Sequence, residues 1–306
     1  MLDELLERFR RGDRLALARL LSLVSRGRQL EEIVEGVGPA VKPSRVVAVT
    51  GSGGVGKSTL IGKLIESVRT QGQTVAVLAC DPQSPLSGGA LLGDRFRMPL
   101  RPGDDGVFIR SLAAASGRGA VAEHLGVMVR LLEAFGFDVV FIETAGAGQG
   151  DTSVRELADV VVLLLQPETG DDLQWEKAGL LEVADIIVIH KADLPGAENV
   201  EAQVRATLGL SAAGAVAVLR VSAKDGHGIE ELWAAIGACP PRRPASARSG
   251  LEVLRSAQER LGSAFARARA ADEPRLQELL TLYEKGRLTL RQAADQLLQL
   301  LTGTAD

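Results

Sequence analysis

An alternation of short β-branched runs with amphipathic segments constrains the fold of this chain more than any other feature. Runs that are apolar almost throughout are typical of strands buried on both faces, as in a mostly parallel sheet. Between them lie helical patterns, Lys57–Gln71 ending at Gly72 and Val121–Phe135 ending at Gly136. We therefore predict an α/β fold with a doubly wound sheet. The predicted strands are Val46–Thr50, Thr74–Ala79, Val107–Ile109, Val139–Ile142, Val160–Leu165, Ile186–Ile189 and Ala215–Val221.

Both ends of the chain have helical patterns instead. Near the N-terminus leucines recur at helical spacing, and Asp13 is placed to cap a second helix. A proline-rich linker begins at Pro240, and the last helix should start at Thr289, where Gln292 completes a capping box. The apolar stripes of these last helices suit either folding back on the domain or pairing with another subunit. The predicted divisions are an N-terminal helical extension at 1–42, a nucleotide-binding domain at 43–240 and a C-terminal helical arm at 241–306.

A glycine-rich stretch follows the first predicted strand and opens the first predicted helix. It matches G-x-x-x-x-G-K-[ST] in the structural context that this pattern requires. Its glycines let successive backbone N–H groups point at phosphate oxygens. Lys57 can reach the β- and γ-phosphates, and Ser58 can offer a hydroxyl to Mg²⁺. We predict a phosphate-binding loop (P-loop) made of Gly51, Gly53, Gly54, Val55, Gly56, Lys57, Ser58 and Thr59.

Residues after later strands complete a nucleotide site. Glu143 is placed to hold Mg²⁺ or its waters, and Gly146 can offer an N–H to the γ-phosphate. In the stretch His190-Lys191-Ala192-Asp193, the Asp193 carboxylate can accept from the ring N–H and the amine of guanine, while the Lys191 stem covers the base. Adenine has no matching pair of donors, so GTP and GDP are the predicted ligands. The backbone of Ser222, Ala223 and Lys224 can meet the guanine carbonyl.

Composition narrows the remaining classes of partner. The chain has 306 residues and a net charge of −4, without the clustered basic residues of a broad nucleic-acid surface. Its two cysteines, Cys80 and Cys239, lack the spacing of a disulfide framework or zinc site. The run Val160–Leu165 is far shorter than the roughly 20 residues of a membrane span. We expect a cytoplasmic protein that binds neither nucleic acid nor membrane.

With these motifs, the stretch Asp81-Pro-Gln-Ser-Pro-Leu-Ser-Gly-Gly-Ala-Leu-Leu-Gly-Asp94 strongly resembles the MeaB/ArgK family. Members of that family are G-protein chaperones of adenosylcobalamin-dependent acyl-CoA mutases such as methylmalonyl-CoA mutase. The resemblance covers most of residues 43–237. It implies a homodimeric P-loop GTPase of the SIMIBI class whose C-terminal helices carry dimer contacts. It also implies that Ser58, Asp81, Asp94 and Glu143 serve Mg²⁺, and that Lys177 reaches the active site when the mutase is bound.

One position departs from the family pattern. The guanine motif of the family begins with Asn, and this chain has His190 there. A neutral imidazole can donate one hydrogen bond but cannot copy an amide. We therefore expect weaker guanine affinity, with selectivity kept by Asp193.

The expected reaction is attack of water on the γ-phosphate of GTP, with Lys57, Asp81, Asp94, Glu143 and Lys177 as the catalytic set. The expected function is to gate cofactor loading or protection of a mutase. A nickel-type metal-insertion GTPase is the main alternative, although such proteins usually carry His-rich or clustered Cys segments that this chain lacks. A kinase is a second alternative, and it would transfer the phosphate to a protein or a small substrate instead of releasing it. A binding-only module would have no use for the complete set Lys57, Ser58, Asp94 and Glu143.

Overall fold

A computed structural model describes two compact units, residues 1–245 and 246–306. In the first unit the described residues are 2–38, 40, 42–81, 103–113, 124–145, 154–167, 181, 184–209 and 216–242. In the second they are 257, 261–262, 264–265, 268–269 and 273–302. Asp81 and Ala113 are described in their backbone only. Asp94, Gly146 and Lys177 lie outside the described residues, so the predictions made for them stay predictions.

The first unit is built on a parallel sheet of seven strands. The strands are β1 (Arg45–Gly51), β2 (Val75–Asp81), β3 (Val107–Ala113), β4 (Val139–Glu143), β5 (Val160–Leu165), β6 (Ile186–His190) and β7 (Ala217–Val221). All seven predicted strands are confirmed, with both ends of β5 as predicted and the other ends shifted by at most four residues. The strand order is β3-β2-β4-β1-β5-β6-β7, and every described strand pairing is parallel, as predicted.

Helices connect and cover these strands. In the first unit they are α1 (Leu2–Arg10), α2 (Arg14–Val24), α3 (Leu30–Val37), α4 (Lys57–Thr70), α5 (Leu125–Phe135), α6 (Ala197–Gly209) and α7 (Ile229–Ala238). Asp13 caps α2 as predicted, because its carboxylate accepts from the backbone N–H groups of Leu15 and Ala16. The predicted start of α5 at Val121 is wrong. His124 has a left-handed backbone (φ 58°), so the helix begins only at Leu125.

Alternate residues of each strand point to opposite faces, and both faces are buried. Val46 and Ala48 of β1 belong to one apolar cluster, which is completed by α5 and the N-terminal helices α1–α3. Val47 and Val49 belong to a second cluster, which α4 and α7 cover. The N-terminal helices therefore supply core residues, including the fully buried Leu17, Leu20 and Leu21. This double cover explains why the strands are apolar throughout.

The described part of the second unit includes the helices α8 (Pro274–Glu284) and α9 (Leu290–Thr302), which contact each other. Residues 257, 261–262, 264–265 and 268–269 are helical as well. The predicted capping box of α9 is confirmed, since the Thr289 N–H donates to Gln292 Oε1 and the Gln292 N–H donates to Thr289 Oγ1. Leu276, Leu279 and Ala293 are buried. Over the described residues of both units, we find no helix with the length and apolarity to span a bilayer.

Candidate nucleotide-binding site

The predicted site residues that the structure describes gather at one edge of the sheet. In a parallel sheet all carboxyl ends lie at the same edge, and open α/β folds place their ligands there. Gly51 ends β1, Glu143 ends β4 and His190 ends β6, while Ser222 follows β7 directly. Registers bring these ends side by side, because Val49 pairs with Glu143 and His190 pairs with Val221.

The P-loop turns from β1 into α4 through three glycines with positive φ, Gly51 (147°), Gly54 (77°) and Gly56 (98°). A Cβ at Gly51 would lie 2.6 Å from the Leu164 carbonyl oxygen, so the loop begins in close contact with β5. Val55 is fully buried in the apolar cluster beneath α4 and anchors the loop. Gly53 and Gly54 lie on the open side, where an added Cβ would meet nothing within 4 Å. The loop is therefore anchored in the core at Val55 and open at Gly53 and Gly54, as a phosphate-binding loop must be.

Lys57 and Ser58 occupy the first turn of α4, at the positive end of the helix dipole. The buried Lys57 ammonium donates to the carbonyl oxygens of Gly51 (2.8 Å) and Ser52 (3.1 Å). Thr59 is exposed on the same turn. This arrangement puts a fixed cation and a helix N-terminus beside the cradle, which suits binding of an anion.

Ser58 and Glu143 form a buried polar pair between α4 and β4. The Ser58 hydroxyl donates to Glu143 Oε1 at 2.7 Å, across 85 positions of sequence. Glu143 is only 4% exposed. A hydroxyl and a carboxylate are hard oxygen ligands of the type that Mg²⁺ prefers, so the residues present fit that ion. Asp81 ends the neighbouring strand β2. The described residues contain no group of three or more His, Cys, Asp or Glu placed to hold a metal.

A hydrogen bond between Thr50 of β1 and Thr144, the residue after β4, was not predicted. Thr50 immediately precedes the P-loop and Thr144 immediately follows Glu143. The Thr144 hydroxyl donates to Thr50 Oγ1 at 3.1 Å, and both side chains are buried. The Thr144 N–H also donates to the Val49 carbonyl oxygen. These bonds fix the carboxylate of Glu143 relative to the start of the phosphate loop. A threonine near the end of β1 and another directly after β4 were the available signals.

His190 joins the base-recognition segment, residues 190–193, to the P-loop. Its Nδ1 lies 2.7 Å from the Val55 carbonyl oxygen. Burial has the largest effect on the pKa of His190 and lowers it below its ordinary value near 6.5. Lys191 lowers the pKa further, while the bond to Val55 and the charge of Asp193 raise it. The imidazole is therefore neutral at pH 7. The one hydrogen bond that a neutral imidazole can donate is therefore made to the Val55 carbonyl of the P-loop.

Asp193 is held by the segment after β7. Its carboxylate accepts from the Ser222 hydroxyl at 3.0 Å and lies 3.5 Å from the Lys224 ammonium. The Ser222 bond is the main reason that the pKa of Asp193 lies below its usual range. Lys191 adopts a left-handed backbone (φ 56°), which turns the chain from β6 towards this contact. Ser222 thus orients the carboxylate, a role that the sequence did not indicate. Ala223 is buried between Ser222 and Lys224.

Comparison with known proteins finds related GTPases. The profile of the family described as methylmalonyl-CoA mutase-associated GTPase MeaB matches residues 17–264. A protein of Pyrococcus abyssi named as a GTPase is 43% identical over 240 residues, covering 76% of this chain and 74% of the relative. GTPase ArgK of Escherichia coli is 35% identical over 247 residues, covering 77% and 75% of the two chains.

A solved structure shares the fold. The crystal structure of a LAO/AO transport system kinase has a TM-score of 0.65 and 26% sequence identity, and the alignment covers 98% of this chain and 97% of that one. The shared architecture extends over nearly the whole chain and agrees with the predicted P-loop α/β fold.

Proposed function

The chain belongs to the MeaB family of GTPases, and from that membership we propose that it binds GTP and GDP with Mg²⁺ and acts as a switch on an adenosylcobalamin-dependent acyl-CoA mutase. The family description names methylmalonyl-CoA mutase as the associated enzyme. The buried Ser58–Glu143 hydrogen bond carries the nucleotide part of the proposal. It joins the P-loop to a strand-end carboxylate, the pairing that a magnesium-bound triphosphate requires.

Hydrolysis at this site would rest on positioning and electrostatics. Water attacks the γ-phosphorus, the bond to the β-phosphate oxygen breaks, and GDP and phosphate leave. Backbone N–H groups at the start of α4 and the Lys57 ammonium would stabilise charge on the phosphoryl oxygens. Ser58 and Glu143, with Asp81 and Asp94, would hold Mg²⁺, which would supply positive charge to the phosphates. The Thr50–Thr144 bond would keep Glu143 in place.

Guanine would be selected by Asp193. Its carboxylate can accept two hydrogen bonds from the ring N–H and the exocyclic amine of guanine, and the Ser222 hydroxyl holds it in one orientation. The Lys191 stem would cover the face of the base. Gly146 would offer its N–H to the γ-phosphate, and Lys177 would reach the site when the mutase is bound, which would make a slow GTPase that a partner activates.

The second unit would supply the dimer contacts. Its helices α8 and α9 expose large apolar side chains, with Leu290 at 70% exposure and Leu280, Tyr283 and Leu298 also exposed. Exposed apolar surface of this kind is typical of an interface. Sedimentation analysis of the purified chain should therefore give a homodimer, and a monomer at micromolar concentration would contradict this part of the proposal.

Calorimetry tests the nucleotide assignment. Titration of the pure protein with GDP and Mg²⁺ should give saturable heat, and titration with ADP should give much less. The Lys57→Ala variant should lose binding of GDP, because the cation of the cradle is gone. Equal affinity for GDP and ADP, or no heat with either, would refute the assignment.

A turnover assay tests the switch. Phosphate release from GTP should be slow with the protein alone and faster with a purified acyl-CoA mutase. The same assay with γ-labelled GTP decides between hydrolysis and transfer, since a kinase would move the label onto protein or a small acceptor. Unchanged turnover with every acyl-CoA mutase tried, and no co-purification in GDP or a GTP analogue, would contradict the partner.

A further inference from the structure

The bond between His190 and the P-loop has a defined direction. A carbonyl oxygen only accepts, so the proton of the bond lies on Nδ1 of His190. The Val55 carbonyl oxygen accepts this hydrogen bond, with 2.7 Å between the nitrogen and the oxygen. His190 is 3% exposed, and the bond joins residues 135 positions apart. The donor of the His190 side chain is therefore used in a hydrogen bond to the backbone of the phosphate loop.

The same ring also fills the space beside the loop. A Cβ added to Gly56 would lie 2.5 Å from Cε1 and 2.7 Å from Nδ1 of His190. The imidazole therefore packs directly against the glycine that precedes Lys57. Because Val55 is anchored in the core on its other side, the loop is held between the core and the imidazole. Both contacts restrict the residues that set the direction of the backbone N–H groups at the start of α4.

The second nitrogen is unsuited to guanine. With the proton on Nδ1, Nε2 of the neutral ring is an acceptor only, and it makes no hydrogen bond to the described residues. The polar atoms of guanine that Asp193 would leave free include N7 and O6, which are acceptors as well. Two acceptors form no hydrogen bond, so the neutral imidazole cannot take over an amide contact to the base.

We infer that His190 is a positioning residue of the phosphate loop, and that purine recognition in this chain rests on Asp193 without it. The inference deepens the proposed nucleotide function and depends on it. It predicts that loss of the Nδ1 donor weakens every ligand held by the phosphate loop, including ligands that have no base. A base-contacting residue would affect only nucleotides.

The test compares two ligands on the wild-type protein and three variants. The ligands are GDP and inorganic tripolyphosphate, each with Mg²⁺, measured by calorimetry or by displacement of a labelled GDP. His190→Leu keeps apolar volume but removes the donor, and His190→Asn keeps a donor. His227→Ala is the matched control, because His227 is an exposed histidine in the turn after β7. Circular dichroism checks that each variant is folded, and His190→Ala replaces the leucine variant if that one does not fold.

The expected result is a parallel loss. His190→Leu should weaken GDP and tripolyphosphate by a similar factor of about ten, the cost of leaving a buried carbonyl without its donor. Its preference for GDP over ADP should stay that of the wild type, and His190→Asn should recover most of the affinity. A loss confined to GDP, or no loss with either ligand, would overturn the inference. If the wild-type protein binds no GDP, the proposed function itself fails instead.

Discussion

Replacement of Gly56 by alanine should reveal two separate costs. Gly56 has a φ of 98°, and a Cβ there would lie 2.5 Å from the ring of His190. The left-handed conformation costs a residue with a side chain about 1–2 kcal/mol. Displacing the buried ring would also break its bond to the Val55 carbonyl, which costs about 1–3 kcal/mol more. We expect G56A to lower the free energy of unfolding by about 2–5 kcal/mol.

Two neighbouring glycines are matched controls for this change. Gly54 also has positive φ (77°), but an added Cβ meets nothing within 4 Å, so G54A should show the backbone cost alone. Its expected loss is about 1–2 kcal/mol. Gly53 has open space and no positive φ. G53A should be neutral or stabilise by about 0.4–1 kcal/mol, because alanine restricts the unfolded chain.

Urea denaturation of the nucleotide-free proteins measures all three variants under one condition. H190A alone and G56A combined with H190A, measured beside the wild type and G56A, complete a double-mutant cycle that isolates the contact between the two positions. With the ring removed, alanine at position 56 should cost no more than alanine at position 54. Two results would contradict the contact between His190 and the loop. One is G56A being no less stable than G54A. The other is G56A costing as much stability in the H190A protein as in the wild type.

Three further changes test other contacts of the site. Thr144→Val removes the donor to Thr50 and should lower kcat for GTP about fivefold, whereas Thr144→Ser should keep it, as measured by phosphate release. Asp193→Asn replaces an acceptor that guanine needs, and calorimetry should show GDP affinity falling about tenfold to a hundredfold relative to ADP. The third change is pH. Since the folded pKa of His190 lies below 6.5, acid protonates the unfolded chain first. Stability from urea denaturation should therefore fall as the pH drops below 6.5, and His190→Asn should reduce that fall.

Local patterns were sufficient for the elements of the fold. Continuous β-branched runs predicted all seven strands, because strands covered on both faces have no polar side. The spacing of glycines, lysine and serine in residues 51–59 predicted the P-loop, because that turn depends on glycine at set positions. The start of α5 was misplaced, since nothing in the sequence around His124 marks a left-handed residue. Likewise, the role of Ser222 in holding Asp193 was missed, because it depends on how two turns meet after neighbouring strands.

The sequence by itself determined the class of fold, the phosphate loop and the family, because all three follow from the period and spacing of nearby residues. Only the tertiary structure decided which side chains meet. Ser58 meets Glu143 and Thr50 meets Thr144 because β4 lies directly beside β1. His190 reaches the Val55 carbonyl because β6 lies two strands from β1, on the side away from β4. Strand order and register are set by packing over the whole core, and no local segment encodes them.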